Sequence, residues 1–180
     1  IWRVDQRNYQ QIINDDYYEP RTIHLDTSAF SYKIKSAVTG HGQQGEFIPR
    51  NHFININGGP IEFTRLVWKE CAKNPVYPQG GTWIYDRAGW CPGMATDISE
   101  YDITNLVTGD TVNVDYGVQN GSGDSRYIVS NQLVSYGDNN FQLDARFTRV
   151  IRPNNQIEFG RSNPICEGAR VTIENSGATT

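Results

Sequence analysis

Glu46 stands between Gly45 and Phe47, just ahead of Pro49-Arg50, and farther along an Asp86-Arg87 pair lies between Trp83 and Trp90. A carboxyl group can act as a proton donor or acceptor, and a nearby guanidinium can hold an anion or a carbonyl. Together they are the least that hydrolysis of an amide or glycosidic bond requires. A lone loop glutamate is ordinarily solvated surface, and an adjacent Asp-Arg pair is ordinarily a local ion pair. The aromatic neighbours carry the functional reading: a guanidinium flanked by Trp83 and Trp90 can hydrogen-bond a hydroxyl or carbonyl while an indole stacks on the apolar face of a sugar ring. The competing reading for each tryptophan is a hydrophobic plug, which fits Trp68 best.

Other chemistries find little support. His24, His41 and His52 are far apart in sequence, and no HxH, HExxH or CxxC spacing occurs, so neither a metal nor a cofactor is expected. His52, at the start of a strand, reads as a packed or hydrogen-bonded residue. No serine stands in a GxSxG elbow. Gly40-His41-Gly42 is too short to cradle phosphate, and no helix is expected after it.

The stretch Pro75 to Gly93, PVYPQGGTWIYDRAGWCPG, must hold Arg87 and its neighbours in place. Its prolines and glycines interrupt helix and strand and set special backbone angles, which predicts a long, rigid loop. Cys71 and Cys91 flank it. A bridge between them is favoured by location, because a loop poor in regular hydrogen bonds gains most from a covalent staple, and it would imply an oxidising, exported setting. The alternative is three reduced thiols in a cytosolic protein. Cys166 has no partner in either reading, unless one lies beyond residue 180.

Around the loop the sequence reads as all-β. Tyrosine (10 residues) and glycine (17) are plentiful and there is one methionine, the usage of short strands joined by turns. Alternation is clearest from Ala29 to Thr39, with Phe30, Tyr32, Ile34, Ser36 and Val38 on one face and lysines on the other. Gly40 to Glu46 follows as a glycine-rich loop. A hairpin is expected from His52 to Asn57 and Ile61 to Val67 around Asn57-Gly58-Gly59. Further strands are expected at Ile98 to Leu106, Thr111 to Gln119, Arg126 to Tyr136 and Leu143 to Ile151, and residues 1 to 20 read as an edge strand plus a loop. No amphipathic helix of three turns is expected. This spacing predicts an antiparallel two-sheet jelly-roll sandwich over residues 1–152. Residues 153–180 are read as a linker, with a turn at Pro153-Asn154-Asn155, and the opening of a further, truncated β-domain. That part has one strand, Arg170 to Glu174, with nothing to pair against.

The formal net charge of −4 and the absence of any Lys or Arg cluster exclude a partner bound through phosphate charge, so no nucleic acid is expected. With a mean hydropathy of −0.58, no apolar run approaches the roughly 18 residues of a membrane span. The first residues carry no recognisable leader, so the chain reads as mature or truncated.

Taken together, Gly45-Glu46-Phe47 with Arg50 and His52, Cys71 with Asn74-Pro75, and the run Asp86-Arg87-Ala88-Gly89-Trp90-Cys91-Pro92-Gly93-Met94 resemble the C-terminal lobe of the peptide-N-glycosidase F family. The resemblance covers about residues 20 to 150, the first twenty matching weakly. It implies a secreted, periplasmic or cell-surface bacterial enzyme of two jelly-roll lobes, which cleaves the amide between asparagine and the first N-acetylglucosamine of N-linked glycans in the cleft between the lobes. It places Glu46 on the family's active-site glutamate, Arg87 on its cleft arginine, Trp90 on a tryptophan near the bound sugar, and Cys71 and Cys91 on a family disulfide.

The departures are equally specific. Gln44 and Ile48 occupy positions where the family's glutamate is clamped by a small disulfide, and Phe47 replaces a tryptophan, keeping an aromatic face without the N–H donor. The family's principal catalytic aspartate comes from the N-terminal lobe, and Asp5, Asp15 and Asp16 do not match it. The expectation is therefore part of an N-glycan amidase, inactive without its missing N-terminal lobe, with Glu46 and Arg87 catalytic and Trp90, Phe47, Trp83 and Asp86 binding substrate. The alternative is a noncatalytic glycan-binding or cell-surface assembly module. The copper monooxygenases that share this architecture are disfavoured because paired histidine ligands are missing and Met94 stands alone.

Overall fold

A computed structural model describes residues 1–60, 62–73, 82–121, 123–152 and 170–179. Among the described residues, ten strands and two five-residue helices follow in the order β1 (Asp5–Asn8), α1 (Tyr9–Ile13), β2 (Arg21–His24), β3 (Ser31–His41), α2 (Gln43–Phe47), β4 (Arg50–Ile56), β5 (Glu62–Val67), β6 (Ile98–Asp102), β7 (Thr111–Val118), β8 (Arg126–Tyr136), β9 (Ala145–Arg152) and β10 (Arg170–Asn175). One sheet has the order β1-β8-β3-β6 and the other β2-β7-β4-β5. Every pairing is antiparallel. These are the two interleaved sheets of a jelly roll, the fold that the strand spacing predicts.

The alternation seen in the sequence is the reason the sheets pack. Along β3, Tyr32, Ile34, Ser36, Val38 and Gly40 are buried and the residues between them are not. Val112, Val114, Tyr116 and Val118 do the same on β7. Facing each other with Ile54, Ile56, Tyr127 and Val129, they form one core. Each fully buried aliphatic side chain contributes roughly 1.5–3 kcal/mol over its exposed state. At the open edge of the sandwich Phe63 of β5 meets Tyr101 of β6, ring centres 5.1 Å apart.

The first twenty residues are more than an edge and a loop. Trp2 packs edge-on against Tyr18 and Tyr18 against Tyr116, at 5.7 and 5.3 Å, so this segment plugs one end of the core. A capping box, in which Asn8 and Gln11 satisfy each other's backbone N–H groups, starts α1 immediately after β1. His52 fits its expectation: it is buried on β4, and its Nδ1 shares a hydrogen bond with the Tyr116 hydroxyl.

Three expectations need correction. Phe30 is 64% exposed and lies outside β3, which instead runs on through Gly40 to His41. The glycine-rich segment that follows turns into α2 rather than remaining a loop, so Glu46 sits on a helical turn. The strand at 170–175 has a partner: it pairs antiparallel with β9 in a two-stranded sheet, which takes β9 out of the sandwich. The Asn57-Gly58 turn adopts the positive φ expected of it, 57° and 58°. Residues 75–81 of the Pro75–Gly93 loop, the Pro153-Asn154-Asn155 turn and Cys166 fall outside the described residues.

Candidate functional site

The described part of the long loop is a strap laid across one end of the sandwich. Arg87 and Lys69 exchange both backbone hydrogen bonds of an isolated antiparallel bridge, at 2.9 and 3.2 Å. Cys71 is bonded to Cys91, and its backbone N–H donates to Asp86 Oδ1 at 3.0 Å. The bridge that location favours is therefore present, closing a 20-residue separation. Lys69, itself buried, extends its ammonium to the Ala95 carbonyl at 2.7 Å and to Asp97 at 2.9 Å, tying the far end of the strap to the same point.

On its other side the strap is hydrogen-bonded into the end of β3 and into α2. Ala88 N–H donates to the Glu46 carbonyl, Gly40 N–H to the Ala88 carbonyl, and Trp90 Nε1–H to the Gly40 carbonyl, all at 2.8–2.9 Å. This closeness is what requires glycine. A Cβ on Gly40 would lie 2.0 Å from the Gly45 carbonyl oxygen, and one on Gly89, where φ is +76°, would lie 2.0 Å from that of Val38.

These contacts place Arg87 against Glu46. Arg87 Nη1 donates to Glu46 Oε1 at 2.8 Å, Nη2 donates to the carbonyl and hydroxyl of Thr82, and Nε donates to the Tyr85 carbonyl at 3.2 Å. The guanidinium carbon lies 4.9 Å from the Trp90 ring centre and 5.3 Å from that of Phe47. Arg87 is only 4% exposed and the Glu46 side chain 18%. A buried guanidinium is tolerable only when its donors are spent on fixed acceptors, and the turn at 82–85 supplies them. The arrangement fixes one carboxylate oxygen of Glu46 and leaves Oε2 without a hydrogen bond among the described residues.

The structure thus brings Glu46, Arg87, Phe47 and Trp90 together, with corrections in detail. Arg87 pairs with Glu46, not with its neighbour Asp86, whose carboxylate caps the Cys71 N–H instead. The rings over the guanidinium are those of Trp90 and Phe47, while Trp83 is half-buried in the 82–85 turn. Arg50 lies elsewhere, reaching the Asn120 carbonyl and Ser125. Sequence reasoning missed His41, which stacks on Trp90 with ring centres 5.7 Å apart and planes at 26°. The signal was its place between Gly40 and Gly42. Burial pulls the His41 pKa below the usual imidazole value, the Glu46 charge opposing and Arg126 reinforcing this. The three histidines lie on three different strands, and among the described residues no group of three potential metal ligands occurs. None of the described helices is long and apolar enough to cross a membrane.

The two antiparallel sheets, with a disulfide-anchored strap at one end, define a jelly-roll β-sandwich protein. Residues 8–135 match the sequence family described as peptide-N-glycosidase F, C terminal, and the chain belongs to that family. It is 30% identical over 131 residues to peptide-N(4)-(N-acetyl-beta-D-glucosaminyl)asparagine amidase F of Elizabethkingia miricola, an alignment that takes in 64% of this chain and 37% of that protein. Among solved structures it resembles PNGase F, a glycosylasparaginase from Flavobacterium meningosepticum, with a TM-score of 0.60 and 29% identity, covering 66% of this chain and 43% of that one. PNGF-II, at 20% identity and a TM-score of 0.53, shares the fold over 66% of this chain and 24% of its own length. The chain therefore spans well under half of these relatives. The family match starts earlier than the expected residue 20 and stops before the expected residue 150, ahead of β9.

Proposed function

We propose that this chain supplies one lobe of a peptide-N4-(N-acetyl-β-glucosaminyl)asparagine amidase that hydrolyses the Asn-GlcNAc amide of N-linked glycoproteins. The observation that supports this reading most is the Glu46–Arg87 pair, 2.8 Å apart, with one carboxylate oxygen held by Arg87 and the other without a hydrogen bond among the described residues. In this reading Glu46 is the catalytic acid-base. Arg87 positions it, because Nε and both terminal nitrogens each donate to Glu46, Thr82 or Tyr85. Phe47, Trp83, Asp86 and Trp90 shape the wall against which the first sugar binds. Trp90 spends its indole N–H on the Gly40 carbonyl, so only its ring would contact the ligand.

A second carboxylate is needed to drive water onto the amide, and among the described residues the Arg87–Trp90–Phe47 cluster holds Glu46 alone. The activity is accordingly proposed for this chain together with a second β-lobe that brings the missing acid. The disulfide supports an exported location, since such bonds persist in oxidising compartments. A following β-unit belongs to the same proposal, and the pairing of β9 with β10 favours a boundary between β8 and β9, ahead of the expected residue 152.

Release of glycans from a denatured N-glycoprotein tests this reading, using the complete gene product and its Glu46→Gln and Arg87→Ala variants. Loss of about 10²–10⁴ in rate for Glu46→Gln is expected. Equal release by all three proteins would remove Glu46 and Arg87 from the chemistry.

A further inference from the structure

Between the two sheets, on the side of β5 and β6, lies a small cleft that shares no residue with the Glu46 cluster. Its polar wall is made by Ser36 of β3, His52 of β4, Arg65 of β5, Tyr101 of β6 and Tyr116 of β7, and no carboxylate lines it. β5 and β6 are the end strands of their sheets. Arg65 and Tyr101, both half-buried, therefore stand at the mouth, while Ser36, His52 and Tyr116 are buried at the inner end. His52 and Arg65 are directly opposite in the β4–β5 register, so their side chains leave the same face of the sheet. The cleft has room for about one particle the size of a water molecule.

His52 is 4% exposed, and its Nε2 is a buried polar atom without a hydrogen-bond partner. The other ring nitrogen, Nδ1, lies 2.5 Å from the Tyr116 hydroxyl, which burial keeps protonated. That hydroxyl donates to Nδ1, so the single proton of the neutral ring is on Nε2. A buried N–H without an acceptor is costly. The charged groups that bear on the ring, Arg65 from β5 and Arg50 from β4, are both positive. A wall of hydroxyls, one N–H and a guanidinium, with no carboxylate, suits an acceptor that carries negative charge.

We propose that this cleft is a binding site for one small anion of the halide class, held between Nε2–H of His52 and the guanidinium of Arg65. The inference is independent of the amidase reading. Sulfate, phosphate and carboxylates are too large for the space. Because the wall draws on strands of both sheets, the anion would clamp the sandwich at this edge. It would bind the folded chain only, so stability rises with its concentration.

The test uses the complete gene product, with sodium gluconate exchanged for sodium chloride at constant ionic strength. In long-range proton-nitrogen NMR the His52 Nε2 resonance should shift saturably with chloride while those of His24 on β2 stay put, and the thermal midpoint should rise along the same curve. Arg65→Gln should weaken chloride binding about 10-fold, and Arg65→Lys, which keeps the charge, should retain most of it. Crystals soaked in bromide should show an anomalous peak between His52 and Arg65, which decides the question if Arg65→Gln does not fold. A His52 resonance unmoved by the exchange, a chloride affinity that Arg65→Gln leaves unchanged, or a soaked crystal without that peak overturns the proposal, and the Glu46 site is untouched by any of them.

Discussion

Arg87 donates to Glu46 across 41 residues of chain, in a pair of which one partner is almost wholly buried and the other mostly so. Two such charges are expensive to remove from water and become tolerable only through close geometry and satisfied donors. Removing one partner leaves the other stranded. Arg87→Ala should therefore destabilise the fold by about 3–5 kcal/mol, read from urea unfolding. Glu46→Gln keeps a neutral acceptor in place and should cost clearly less stability, while removing any activity of the complete protein that depends on the carboxylate. A ranking in which Glu46→Gln is the more destabilising change would mean that Arg87 needs the charge of Glu46 and not merely an acceptor at that place.

Much of this arrangement could be read from the residues, and the part that could not has physical causes. The β3 alternation from Tyr32 to Val38, the Asn57-Gly58 turn and the cysteines flanking the strap are local signals, and each is where it was expected. The partner of Arg87 is not a local property. Asp86 is adjacent in sequence, but the Lys69 bridge extends the chain there and turns successive side chains apart, one to Cys71 and the other to Glu46. The helical turn α2 is equally invisible in Gln43-Gln44-Gly45-Glu46-Phe47. It is held by contacts from distant elements, including Gln43 N–H to Asp124 and Ala88 N–H to the Glu46 carbonyl. The pairing of β9 with β10 joins strands separated by a long stretch, which no short-range pattern encodes.

The Cys71–Cys91 bond closes its circuit beneath the strap, and both residues are almost fully buried. Loop-closure entropy assigns a ring of about 20 residues roughly 3 kcal/mol. A Cys71→Ser/Cys91→Ser double variant should lose stability of that order in urea titration. Reductant alone should attack the native bond slowly, and much faster once denaturant opens the fold. Rapid reduction of the folded protein, followed by thiol labelling, would show that the strap opens on its own.

Buried His52 makes the fold sensitive to acid. Burial, followed by the charges of Arg65 and Arg50, pushes its pKa down from 6.5 to about 3. Between those values the unfolded chain binds the proton and the folded one does not, so stability is full above pH 6.5 and falls as the pH drops toward 3. The slope from this one group approaches about 1.4 kcal/mol per pH unit inside that window. Unfolding titrations at several pH values should show the slope in wild type and a flatter profile in His52→Leu. Parallel profiles would mean that carboxylates, not His52, set the acid limit.

Gly40 is where the strap, β3 and α2 meet most closely, and it offers the sharpest steric test. A methyl group there would lie 2.0 Å from the Gly45 carbonyl oxygen and 2.5 Å from the Ala88 Cβ. Backbone cannot swing aside as a flexible side chain can, so α2 or the strap must move. Overpacking of this kind costs about 1–3 kcal/mol. The displacement should also lengthen the Trp90 Nε1–H bond to the Gly40 carbonyl, shifting that indole resonance and speeding its exchange with solvent. Gly109→Ala provides the control, since a Cβ there meets nothing within 4 Å. If Gly40→Ala matches that control in both thermal stability and the Trp90 indole signal, the strap is not seated on β3 as described, and Glu46 loses the contact that aims it.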